Sequence, residues 1–182
     1  MTTTKTTVRS KTSLTLIEAL QRYAQEHRHP INRLLHHIGI PLIIVGFLIF
    51  LSFINISFAN RWHVSFAWLG AVVAAIVYVR LHTWLGSITA FLLFILTALC
   101  SLAYPAPTEL SGWLLLACLV VGVLCLSVGH WFEKSKSQPW NQVQQTWIAP
   151  LFSVICLLQA MRVAHFVGLD TLCAAIAPPP QA

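Results

Sequence analysis

The chain holds 182 residues, 57% of them hydrophobic and 9% charged, with a formal net charge of +6. A soluble domain carries roughly 25% Asp, Glu, Lys and Arg, so 11 basic and 5 acidic residues cannot cover an ordinary water-facing surface. That composition excludes most soluble folds and reads as a membrane protein. It also excludes nucleic-acid binding, because the basic residues are few and form no clustered face with interleaved aromatics.

Residues 1–13, rich in Thr with scattered Lys and Arg, are too polar to pack and read as a disordered tail. From Thr15, with Glu18 three residues on as a capping box, the apolar series Leu16, Ile17, Leu20, Tyr23, Ala24, His27 predicts an amphipathic helix lying at the membrane interface. Pro30 ends it and opens a second helix, since proline suits a first turn, that runs through Asn32 and His36 into the first span. The charges then punctuate the chain, leaving uncharged gaps of 27, 18, 28, 23 and 25 residues between Arg33 and Arg162. A hydrocarbon layer of ~30 Å needs about 20 helical residues, which predicts five spans near 38–58, 63–80, 84–104, 112–131 and 147–167. The runs are continuously apolar and not alternating, so membrane strands are not expected. The fold class is therefore an all-α, multi-pass transmembrane helical bundle of about five spans. A single domain covers 14–170, and a flexible tail, ending in three prolines, covers 171–182.

With five spans, nine of the 11 Lys and Arg share one side; Arg61 lies opposite and Arg162 falls inside the last span. The positive-inside rule then puts the N-terminus in the cytoplasm and the C-terminus across the membrane. The five cysteines form no Cys-x-x-Cys. Cys118 and Cys125 share a helix face but are about 10 Å apart in rise, beyond disulfide reach, and read as small apolar residues. There is no phosphate-binding glycine loop, nucleophile elbow or His-Glu-x-x-His.

Eight histidines remain, six of them at the cytoplasmic side. On one continuous helix His27 and His36, nine residues apart, would point in opposite directions; a corner at Pro30 lets them converge. At the far end of the fourth span, Gly129-His130-Trp131-Phe132-Glu133 carries a histidine and a carboxylate on one face where the chain returns to the cytoplasm, and Gly129 permits close helix approach. Ionisable groups at membrane depth are costly, about 2.5–3.5 kcal/mol near mid-span, and point to function. Imidazoles converging with a carboxylate suit a first-row metal, Fe(II), Mn(II) or Zn(II). The site is thus His27, His36 and His130 as ligands, with Glu133 as a fourth ligand or base. Asn32 and Tyr23 read either as hydrogen-bonding partners of the ligands or as plain interface residues. An imidazole at a headgroup boundary also serves as a simple anchor, the reading for His29, His37, His63, His82 and His165. No organic cofactor is expected.

The pattern Tyr23-x3-His27-x2-Pro30-x-Asn32-x3-His36-x4-Pro41, followed by Gly129-His130-x2-Phe132-Glu133-Lys134 and Ala149-Pro150, resembles the Mpo1-like family of small multi-pass membrane proteins over roughly residues 15–167. The resemblance implies an Fe(II)-dependent dioxygenase acting with O2 on 2-hydroxy fatty acids, shortening them by one carbon with release of CO2, in a bacterial inner membrane or the endoplasmic reticulum. It maps the family's histidines onto His27, His36 and His130. Another histidine-metal membrane hydroxylase or hydrolase, or a non-enzymatic membrane scaffold, is the alternative reading.

Overall fold

The computed structural model describes residues 16–58, 62–103, 107–133, 139–165 and 169–176. The expected 1–13 tail and the capping Thr15 lie outside the described residues. Helix α1 covers residues 16–26 and turns Leu16, Leu20, Tyr23 and Ala24 inward while Glu18, Gln21, Arg22 and Gln25 face out. Its apolar face packs within the protein, sharing a core with residues 149–155 and 169–176.

The chain turns at His29, whose imidazole Nδ1 accepts from the Ile31 N–H at 3.3 Å and caps α2, Pro30–Ser52, with Pro30 in the first turn. An antiparallel hairpin follows, β1 Asn55–Phe58 and β2 Trp62–Ser65, paired Asn55 to Ser65 and Ile56 to Val64. Helices α3, Phe66–Leu81, and α4, Thr83–Ala103, meet at an extended His82. Gly86 lies directly under the Tyr78 carbonyl there, where a Cβ would collide with the main chain. Then come α5, Glu109–Glu133, α6, Pro139–Ala160, and α7, Asp170–Ile176.

Among the described residues, three helices are long and apolar enough to cross a membrane: Pro30–Ser52, Thr83–Ser101 and Glu109–Phe132. Phe66–Leu81 and Trp147–Ala160 are shorter apolar helices. The first expected span, 38–58, begins at Pro30 and stops at Ser52. Asn55 turns its side-chain amide back on the Ser52 carbonyl, and Ile54, Ile56 and Val64 then favour extended backbone. An all-α expectation had no place for this hairpin. The last expected span, 147–167, ends at Ala160. There Arg162 takes a left-handed φ of 57° and donates its N–H to Gln159 O, while the Val163 N–H reaches Leu158 O, a Schellman stop that leaves Arg162 exposed outside the helix. The expected C-terminal tail in turn contains α7, whose Leu172 and Ile176 are buried.

Helices α2 and α5 pack antiparallel along a seam of small residues, Gly39 and Gly46 seven apart on one, Gly122 and Gly129 seven apart on the other with Cys118 and Cys125 interleaved. A Cβ on Gly39 would stand 2.9 Å from the Gly122 carbonyl, and one on Gly122 would stand 2.6 Å from Ile43 Cγ1. All five cysteines are free thiols. The hydroxyls of Thr97 and Ser52 bond back to carbonyls one turn earlier, those of Leu93 and Leu48, and are satisfied within their own helices. Two buried clusters mark opposite ends of the bundle. One gathers α1, α6, α7 and the α3–α4 corner; the other gathers Leu48, Ile49, Ala67 and Cys100.

Replacing Gly122 by Leu is expected to wedge α2 from α5 and cost about 1–3 kcal/mol or more. Gly112→Ala in the same helix, where a Cβ meets nothing within 4 Å, should gain up to about 1 kcal/mol of helix propensity. Thermal unfolding of the two purified variants in one detergent checks the contrast; equal melting temperatures would refute the seam.

Candidate metal centre

Three segments deliver the site. His27 follows the last turn of α1, His36 lies two turns into α2, and His130 sits in the last turn of α5. The structure brings these three together. Each offers one ligand atom, and those atoms all lie within 4.8 Å of one another. His27 and His36 are buried and His130 is half-buried.

The ring tautomers of the buried pair follow from their partners. His27 Nδ1 is 2.9 Å from the Tyr23 carbonyl, and His36 Nδ1 is 3.0 Å from the Asn32 carbonyl. A carbonyl only accepts, so both Nδ1 atoms donate, and both Nε2 atoms present lone pairs. Those Nε2 atoms face each other 3.2 Å apart. Neighbouring ligands on one metal at ~2.0–2.1 Å would stand roughly 3.0–3.4 Å apart for right-angle to tetrahedral geometry, so the pair already has ligand spacing. A metal-bound histidine ordinarily donates its other N–H to a carbonyl or carboxylate, which is the arrangement here. A purely structural histidine pair would set a donor against an acceptor. The residues fit a first-row metal ion.

Asn32 and Tyr23 contribute differently from their side-chain chemistry alone. Each supplies its main-chain carbonyl to the histidine four residues on. The Tyr23 ring also stacks on His27, centroids 4.2 Å apart at 17°. Burial, with Cys156 nearby, pushes the Tyr23 phenol well above its usual range, so it stays neutral. Asn32 is fully buried against Gly129, where a Cβ would overlap its Oδ1 and press within 3.3 Å of His36 Nδ1. The side chain of Glu133, the expected fourth ligand or base, lies outside the described residues, as does Lys134.

The remaining described histidines each make a local contact. His29 caps α2 and stacks on Phe132, 5.5 Å away at 19°. His82 caps α4, accepting from the Leu85 N–H at 3.2 Å. His37 Nδ1 is 3.2 Å from the Ser153 hydroxyl and its ring stacks on Phe152. His165 pairs with Asp170 at 3.2 Å on the surface; the His63 side chain lies outside the described residues. Sequence reasoning missed Phe152, which no motif distinguishes from other apolar residues of α6. It also missed the use made of Arg33, whose Nε donates to the His27 carbonyl at 2.6 Å.

Gly129→Ala is expected to force Asn32 and His36 out of place and weaken metal uptake about tenfold or more. Titration of metal-free protein with Co(II), followed by its visible absorption, reads the loss; unchanged affinity would show that the packing at Gly129 does not hold His36.

A family model described as 2-hydroxy-palmitic acid dioxygenase Mpo1-like matches residues 14–161, which include all three histidines and both flanking segments. No curated protein and no solved structure matches the chain. By the extent of that family match, the chain belongs to the Mpo1-like family.

Proposed function

We propose that the protein is an Fe(II)-dependent membrane dioxygenase of 2-hydroxy fatty acids. The observation that carries this reading is the facing Nε2 pair of His27 and His36, with His130 beside it, in a chain whose family name specifies 2-hydroxy-palmitic acid dioxygenase. The reaction converts a 2-hydroxy acid and O2 to the acid one carbon shorter, CO2 and water. Atoms balance, and the four electrons that reduce O2 come from the substrate, so no separate reductant enters.

His27, His36 and His130 would hold the iron, with Glu133 as a further ligand or base. Bound there, Fe(II) supplies O2 activation and a Lewis-acidic anchor for the substrate's carboxylate and 2-hydroxyl. The protein's own part is to keep that centre ordered and partly dry. The Tyr23 and Asn32 carbonyls hold the two buried imidazoles in their Nδ1–H tautomers. Tyr23 covers one face of His27, and the half-exposed edge of His130 leaves the approach for substrate.

The chain's disposition in the membrane follows the same logic. We propose four crossings, α2 to α5, with α1, α6 and α7 forming a cap at the site end. Along α5 the strongly exposed Trp113 and Trp131 are about eighteen residues apart, roughly 27 Å of helix. This matches two aromatic belts across a ~30 Å core and puts His130 at headgroup depth. The apolar part of α6, Trp147–Ala160, would rise only about 21 Å, and it stops beside the exposed Arg162, His165 and Asp170. Helix α7 belongs to the same buried cluster as α1 and the α3–α4 corner. The described ends, Leu16 and Ile176, therefore lie together on the site side, and on this reading the basic residues of the N-terminal segment make that side cytoplasmic. A fatty acid in that leaflet would present its carboxylate end to the metal and leave its chain in the bilayer.

Purified wild-type protein is expected to carry about one iron per chain and to consume O2 while converting 2-hydroxypalmitate to the acid one carbon shorter. His130→Ala should lose both. If the triple variant at His27, His36 and His130 retained iron and turnover, the reading would fall. For topology, reporter fusions at the two termini should give the same side; opposite sides would restore five crossings.

A further inference from the structure

Arg33 stands where the helix dipole disfavours it. It is the fourth residue of α2, whose first turn contains no acid, and the positive end of a helix dipole disfavours a cation. Its environment explains the placement. Helix α1 ends at the corner before Pro30, which has no N–H to donate, so the carbonyls of its last turn need donors from elsewhere. Arg33 supplies two donors at this end: Nη2 reaches the Ala24 carbonyl of that turn at 3.4 Å, and Nε donates to the carbonyl of His27, just past it, at 2.6 Å. Its cation thus sits at the negative end of α1, where the dipole favours it. The guanidinium carbon also lies 6.0 Å from the centre of the Phe152 ring. Phe152 touches Tyr23, centroids 4.8 Å apart, and Tyr23 stacks on His27. His27 is therefore held at its carbonyl by α2 and on its ring face by Tyr23 of α1, which Phe152 of α6 backs.

We infer that Arg33 is a positioning residue for the His27 ligand: its fork clamps the end of α1 onto α2, and the corner so fixed keeps the His27 and His36 Nε2 atoms at metal-ligand spacing. The metal consequence rests on the metal-site reading above; the clamp itself does not. Lysine cannot replace the fork, because an ammonium is a point donor without a planar face.

Two measurements on the full chain in detergent test this. In metal-free protein, Arg33→Ala should speed amide exchange in α1 at least tenfold while α3 and α4 keep wild-type exchange. In Co(II) titrations the same variant should raise the dissociation constant about 10–100-fold, with Arg33→Lys falling between it and wild type. Wild-type Co(II) affinity in Arg33→Ala, or full recovery by Arg33→Lys, would overturn the inference. So would loosening of α3 and α4 in step with α1, since that is general destabilisation. Should wild type itself take up no Co(II), the functional reading fails, and the exchange of α1 alone decides whether Arg33 is the clamp.

Discussion

The backbone contact between α2 and α5 is the constraint on which the rest depends. Two helices whose main chains approach this closely need residues without bulk at each crossing point, and α2 and α5 supply them at seven-residue intervals on both sides. In lipid, where no hydrophobic force draws apolar helices together, close packing of this kind is the main source of association. The same register sets the chemistry. Gly129 is the last small residue of the seam and it backs Asn32 and His36, so the contact that joins the helices also decides how far His130 stands from its partners. A seam displaced by one residue would turn His130 by about 100° around α5 and separate it from the pair.

Much of this was legible before any coordinates. The uncharged gaps marked every long apolar helix, because a charge inside a span is costly and the sequence avoids it. The corner at Pro30 followed from arithmetic: nine residues of one helix cannot bring His27 and His36 together, and a proline stood between them. What the sequence concealed was decided by contacts distant in the chain. Ile56 and Val64 are as apolar as a span, and only their pairing across the hairpin makes them strand residues. Helix α6 is apolar enough to suggest a crossing, yet the turn at Arg162 ends it with no glycine or proline as a signal. Leu172 and Ile176 look like part of a frayed end until α1 supplies the surface they cover. At the site itself, Asn32 and Tyr23 drew attention for their side chains, whereas the hydrogen bonds to His36 and His27 come from their carbonyls.

Histidine shows why residue type alone could not sort the site. Within α2 and its approach, His29 accepts a main-chain N–H, His36 donates to a carbonyl, and His37 meets a serine hydroxyl. An imidazole that accepts at a helix N-terminus uses the lone pair a metal would need and is thereby spent. The histidines whose Nδ1 donates to the i−4 carbonyl keep Nε2 as an acceptor directed away from their own helix. Two such rings from different helices, facing each other across 3.2 Å, stand at the spacing of two ligands on one metal ion. The pair stands at the end where α1, α2 and α5 meet. On the proposed disposition, that is also the depth at which the polar end of a fatty acid sits while its hydrocarbon chain stays in the membrane.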